Sequence, residues 1–301
     1  MLDLIMNTLI QGLIYSLLAY GIYITYKILD FPDLTVDGSF PLGAAVTAVM
    51  LTSGTNPWLT IPASIAVGAI SGLVTGVIHI RFKVRDLLAG IITMTALFSI
   101  NLQIAGSTLA VERGTSTIFT SNIMNSIFGL GILRKFDSLV IRKFVLTLVI
   151  SLIIKFILDL YFKTKSGMLL RAVGDNSTLV TSLAKNSGTV KILGLTIANA
   201  LVALCGCIVC HDQRAFSSTM GTGQMVFGLA AVIIGITLFK KLSFVKATTT
   251  VVAGSIIYKL CIQAAILAGL PANLLKLITA VLFLIILILG NFERRGGKKN
   301  A

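Results

Sequence analysis

The sequence predicts an all-α bundle of about nine membrane-crossing helices in a single domain, and three observations predict it. Of its 301 residues, 56% are hydrophobic and only 12% are charged, against roughly 25% charged in a soluble domain. That deficit runs the whole length of the chain, in apolar segments near the roughly 20 residues a helix needs to cross a bilayer core. Basic residues also gather in alternate connections, the pattern that sets orientation in a membrane. Removing the apolar segments leaves no stretch long enough for a separate soluble core, so residues 1–301 are read as one membrane domain.

The segments follow in order. Residues 5–26 are apolar, and no Lys or Arg precedes Lys27. A cleavable signal peptide has a cationic start, so this is read as a retained first span. Residues 34–52 are shorter and interrupted by Gly38 and Gly43; 57–80 and 87–107 are full-length spans. Residues 108–140 form an outer loop, 141–162 a span, and 163–189 an inner loop of different texture. The series closes with 190–210, a second short run at 222–239 holding Gly223 and Gly228, then 247–268 and 272–290. Nine spans place the termini on opposite faces. With the C-terminus inside, sixteen basic residues lie in inner segments and six in outer ones, which favours an outer N-terminus and an inner C-terminus of the cytoplasmic membrane. The same placement accounts for a net charge of +14 with no nucleic-acid partner.

The two halves echo one another. Gly38-Ser-Phe-Pro-Leu-Gly43-Ala-Ala and Gly223-Gln-Met-Val-Phe-Gly228-Leu-Ala each set two glycines five apart before small residues, at an offset of 185. Short, glycine-interrupted segments at matching positions of two halves point to a solute path, although small residues also serve helix packing. Asp37, Ser39, Gly43, Gly223 and Gly228 are therefore pathway candidates. Asn101 and Gln103, near the outer end of the fourth span, join them.

In the inner loop, Gly167-Met-Leu-Leu-Arg171-Ala-Val-Gly174-Asp175-Asn176 is followed by Leu179, Leu183 and Gly188. Gly174 is expected to break the preceding segment, and Asp175 or Asn176 to cap a new helix. That helix, near 177–186, would stack Leu179 on Leu183 in an apolar face. So short a helix is marginal in water; its face needs a partner protein or the membrane interface itself.

The same residues resemble the cytoplasmic loop of binding-protein-dependent ABC importer permeases, in the branched-chain amino acid and ribose permease superfamily. That family carries a Gly, then Arg-Ala-x-Gly-x-Asn, then small residues and a Gly before the next span. Residues 30–46 resemble the family's segment after its first span, and the likeness runs from about residue 8 to 290. At 184–188 this chain reads Ala-Lys-Asn-Ser-Gly instead of the usual Leu-Gly-Ile-Asn type of ending. It looks like a subgroup working with a tryptophan- or tyrosine-type binding protein. The resemblance implies a coupling helix at 176–186 seated on an ATPase, with Gly167, Arg171, Gly174, Asp175, Asn176, Leu179, Leu183 and Gly188 as the coupling residues. It further implies two ATPase subunits, a second permease chain, and a substrate-binding protein docked on outward basic residues such as Arg113, Arg134, Lys135 and Arg214. Amino acids, aromatic ones foremost, are the expected solutes.

Other chemistries find little support. No Gly-x-x-x-x-Gly-Lys-[Ser/Thr] element occurs, so energy must come from another polypeptide or from an ion gradient. A stand-alone ion-coupled carrier is the competing class, and it usually places carboxylates within spans. Here every Asp and Glu fits a loop or span end, with Asp37 the residue that keeps this class open. No His, Asp and Glu cluster has catalytic spacing, and no metal or cofactor is expected. Cys207-Ile-Val-Cys210-His211 matches the spacing for haem attachment, yet it suits ordinary helix packing and no second haem ligand is evident. Lys155 and Lys276 lie near enough to span ends to reach the interface. Lys259 lies mid-span, where pairing within the bundle or lining a solute route would explain it.

Overall fold

The computed structural model describes residues 2–121, 139–175, 187–240 and 245–269, with residues 274, 277, 280, 281 and 284. The elements are α1 (Leu2–Ile22), continuing as a π-helical segment (Tyr23–Ile28); α2 (Val36–Thr52); a 3-10 turn (Pro57–Leu59) leading into α3 (Thr60–Arg81); α4 (Asp86–Ala105); β1 (Thr108–Ala110); α5 (Leu139–Tyr161); α6 (Lys165–Asp175); α7 (Ser187–Gln213); β2 (Ala215–Ser217); α8 (Gln224–Leu238); and α9 (Ala247–Leu267). The fold is all-α and polytopic.

Among the described residues, six helices are long and apolar enough to cross a membrane. The expected count of about nine is not confirmed by them. The segments at 34–52 and 222–239 are helical but short: α2 has 17 residues and α8 has 15. At 1.5 Å per residue they reach about 26 and 22 Å, less than the roughly 30 Å hydrocarbon core. The ninth segment, 272–290, lies outside the continuously described residues.

The core is built around α7 and α1, the two most enclosed of the long helices. Small residues let helix backbones touch. Gly68 and Gly72 on α3 stand one turn apart, and a Cβ at either would land on backbone or side-chain atoms of α7. Gly43 on α2 faces the Ala203 carbonyl, and Gly206 on α7 faces the Phe40 carbonyl. Without a hydrophobic drive between helices in lipid, this close packing and interhelical hydrogen bonds supply the attraction. The outward faces of α3, α4 and α5 stay apolar and exposed, including Ile70, Ile92 and Phe156.

Two details depart from the sequence expectation. The loop at 108–140 opens with β1, which pairs antiparallel with β2 through Leu109 and Phe216; three-residue strands are too short to show a period of two. Gly174 does not break a helix either, because α6 runs through it to Asp175. Its missing Cβ instead admits the Ile28 carbonyl at the end of the π-helical segment.

Candidate translocation and coupling sites

The chain unwinds between α1 and α2. Phe31 N–H donates to the Thr25 carbonyl at 2.9 Å, and Asp30 takes a left-handed φ of 51°. Asp33 then restarts the helix: its Oδ1 accepts from the Thr35 N–H at 2.9 Å, an Asx-type start. Its other oxygen accepts from Asn199 Nδ2 on α7 at 2.7 Å, and Ser39 Oγ donates to Asn199 Oδ1 at 2.8 Å. Asp33 is 1% exposed and forms no ion pair among the described residues. An isolated buried carboxylate is costly unless its lone pairs are satisfied, so Asn199 and Thr35 hold the α1–α2 break in one geometry.

One turn further along, Asp37 reaches across to α8. Its carboxylate accepts N–H bonds from Gly223 at 3.0 Å and Met225 at 2.8 Å. These are first-turn amides of α8, which otherwise lack partners, and a carboxylate there also meets the positive end of the helix dipole. Gly223 has a φ of 86°, open to glycine and strained for a residue with a Cβ. The two glycine-interrupted segments are thus joined directly, first half to second.

A cavity of about 240 Å³ lies beside this junction, lined by Asp37, Gly38, Pro41, Phe98, Asn101 and Thr222 among others. Asn101 Nδ2 donates to the Gly38 carbonyl at 3.1 Å, while its Oδ1 is buried without a partner. The structure therefore gathers Asp37, Gly223 and Asn101 at one place. Ser39 turns to α7, Gly43 packs on Ala203, and Gly228 packs on Leu18 and Ile22 of α1. Gln103 is exposed on the opposite side of α4 from Asn101. Asn199 and Asp33 complete the network. The former is an amide in the middle of a mostly apolar helix, and that polarity was the one signal available.

At the opposite end, α6 folds back under the bundle. Thr164 caps it, with Oγ1 accepting the Gly167 N–H at 3.2 Å, and Gly167 clears the Tyr161 carbonyl. Leu170 and Val173 are buried, while Arg171 is exposed, its guanidinium 4.8 Å from the Phe162 ring centroid. Through Gly174 the helix touches Ile28 and Leu29, immediately before the α1–α2 break. Gly188 is buried at the start of α7. Asn176, Leu179 and Leu183 lie outside the described residues, as does the side chain of Asp175.

On the other face, Arg214 donates through Nη1 to the carbonyls of Glu112, Arg113 and Thr115 at 2.9–3.0 Å. It moulds the loop after β1 and leaves Arg113 exposed; Arg134 and Lys135 lie outside the described residues. Lys143 bonds Asp212 at 2.6 Å, tying α5 to the end of α7. His211 Nε2 and Cys207 Sγ both contact Thr60 Oγ1, at 2.8 and 3.5 Å, and Cys210 is buried too. This segment is used for packing. Lys259 Nζ lies 3.5 Å from the Tyr15 ring centroid and 4.9 Å from that of Phe227, a cation–π seat within the bundle.

Residues 4–287 match the family model described as the branched-chain amino acid transport system permease component. The chain belongs to this family. It is the permease subunit of an ABC importer, a multi-pass membrane protein that works with ATPase and substrate-binding partners. The permease is 43% identical over 297 residues to a tyrosine transport system permease protein of Clostridioides difficile, covering 99% of this chain and 95% of that one. It is 28% identical over 234 residues to the ribose import permease protein of Escherichia coli, covering 76% and 68%. A probable branched-chain amino acid transport permease protein of Methanocaldococcus jannaschii is 28% identical over 249 residues, covering 77% and 75%. No solved structure matches the permease.

Proposed function

We propose that this permease carries an amino acid with an aromatic side chain inward across the cytoplasmic membrane. The observation that carries the substrate class is the 43% identity, over nearly the full length of both chains, to a permease named for tyrosine transport. The pathway runs by the junction of α2 and α8, where Asp37, Asn101 and Gly223 border the route and Ser39, Gly43 and Gly228 pack the helices that form it, while Gln103 lies on the far side of α4. Asp37 and Gly223 bind α2 to α8.

Coupling enters through α6 and the residues after it. Gly167, Arg171, Gly174, Asp175, Asn176, Leu179, Leu183 and Gly188 form the seat of the ATPase. Movement of α6 is passed through Gly174 to Ile28 and Leu29, and from there to the unwound link into α2. Such a transfer needs two packed arrangements of the helices, as expected for alternating access. Two copies of the permease enclose the route, with two ATPase subunits on the inner face. The substrate-binding protein docks on the outer face at Arg113, Arg134 and Lys135, on a loop shaped by Arg214, where charge pairing steers its approach. The N-terminus lies outside and the C-terminus inside. In support, Lys27, Lys163, Arg171 and Lys246 line one cavity and so share one membrane face, the face the positive-inside rule makes cytoplasmic.

The substrate is tested with proteoliposomes holding permease, ATPase and binding protein, loaded with ATP on the ATPase side. Uptake of labelled tyrosine, phenylalanine and tryptophan is compared with that of ribose and leucine. Aromatic uptake well above the others is expected. Ribose or leucine uptake exceeding all three would overturn the substrate assignment while leaving the permease role intact.

A further inference from the structure

The cavity on the Lys163 face measures about 510 Å³ and is lined by Tyr23, Lys27, Phe162, Lys163, Arg171 and Lys246, with Asp159. Four cations face one carboxylate, and that carboxylate is already satisfied. Asp159 accepts from Thr248 Oγ1 at 2.6 Å, from Lys246 Nζ at 3.0 Å and from Lys155 Nζ at 3.4 Å. Lys27, Lys163 and Arg171 form no ion pair with any described carboxylate. The aromatic wall, Tyr23 edge-on to Phe162 with centroids 6.3 Å apart, gives the same cavity an apolar side.

The neighbouring surface bears on what fills it. On α5, Leu152, Phe156 and Leu160 are 54%, 64% and 48% exposed. Spaced four apart, they form one stripe along the helix. The Lys163 N–H bonds the Leu160 carbonyl at 3.0 Å, so the helical turn carries that stripe on to Lys163 at the cavity rim. An apolar stripe about 12 Å long, close to the hydrocarbon depth of one leaflet, ending in a cavity whose cations outnumber its carboxylate, has the shape and polarity of a phospholipid. An acidic peptide would have no use for the stripe.

We propose that this cavity binds the phosphate headgroup of an anionic phospholipid of the inner leaflet, with its acyl chains lying along the Leu152–Phe156–Leu160 face. Basic pockets between membrane helices on the cytoplasmic side suit such headgroups. Because its lining comes from α6 and from the ends of α1, α5 and α9, a bound lipid bridges α6 and three helices of the bundle. The inference rests on the proposed orientation of the chain in the membrane and is independent of the transported solute.

Native mass spectrometry of the purified full-length permease, released from detergent in the presence of phosphatidylglycerol or phosphatidylcholine, tests this. Wild type should retain one phosphatidylglycerol per chain in preference to phosphatidylcholine. Lys27→Gln with Lys163→Gln removes two exposed cations and should weaken retention roughly tenfold or more. Lys83→Gln with Arg85→Gln removes the same charge from the α3–α4 turn on the same membrane face, where His79 meets Phe31, and should leave retention unchanged. Equal loss in both pairs would reduce the effect to general surface attraction, and equal retention in both would place the lipid elsewhere; either overturns the proposal. Release of the lipid by millimolar inorganic phosphate would make a free anion the resident and overturn it as well.

Discussion

Replacing Asp37 by Ala should loosen the start of α8 without unfolding the bundle. The carboxylate receives the N–H groups of Gly223 and Met225, and each bond to a charged acceptor contributes about 1.5–3 kcal/mol when shielded from water. Asp37 is only half-buried, which lowers the sum, and deletion of a helix-capping side chain typically costs about 1 kcal/mol. A local cost near 2 kcal/mol follows for opening the first turn, or roughly a thirtyfold rise in amide exchange there. Asp37→Asn keeps one acceptor oxygen and loses the charge, so about half that cost is expected. Hydrogen exchange read by mass spectrometry on peptides covering residues 220–228, in lipid nanodiscs, measures this directly. Peptides from α7 should exchange as in wild type. Unchanged exchange at 220–228 in Asp37→Ala would refute the claim that this side chain joins the two halves.

Three further outcomes follow from the same geometry. Asn199→Ala strips the buried Asp33 of its partner on α7 and should cost about 3 kcal/mol, seen as a clear drop in thermal stability, whereas Ser39→Ala should cost about 1 kcal/mol or less. Gly206→Val drives a side chain into the Phe40 carbonyl and should destabilise by roughly 1–3 kcal/mol; a neutral result in a melting assay would contradict the close α2–α7 contact. Gly174→Leu should push α6 away from Ile28 and cut uptake while ATP hydrolysis continues, and normal uptake per ATP would remove Gly174 from the coupling route.

Much of this was legible before the structure. The long spans show as apolar runs because lipid demands unbroken hydrocarbon along a helix. The two short segments show because paired glycines at one offset are uncommon outside close packing. The polar network did not show. Asn199 is one amide in a greasy helix, and nothing in its neighbours says that it meets an aspartate 166 positions away. Gly174 misled because glycine serves two ends, breaking a helix or admitting a backbone, and the sequence does not distinguish them. Arg214 has a similar ambiguity: a cation in an outer segment reads as free, yet three backbone carbonyls take up its donors. Lys259 became intelligible only when α1 and α8 brought Tyr15 and Phe227 beneath it.

The central claim is that this chain provides passage and another polypeptide provides the energy. The most direct measurement is solute accumulation against its gradient in proteoliposomes, with and without the companion ATPase, after proton and sodium gradients have been collapsed. Uphill accumulation should require both ATP and the ATPase, and should stop when either is withheld. Accumulation by the permease alone, driven by a restored ion gradient, would contradict it.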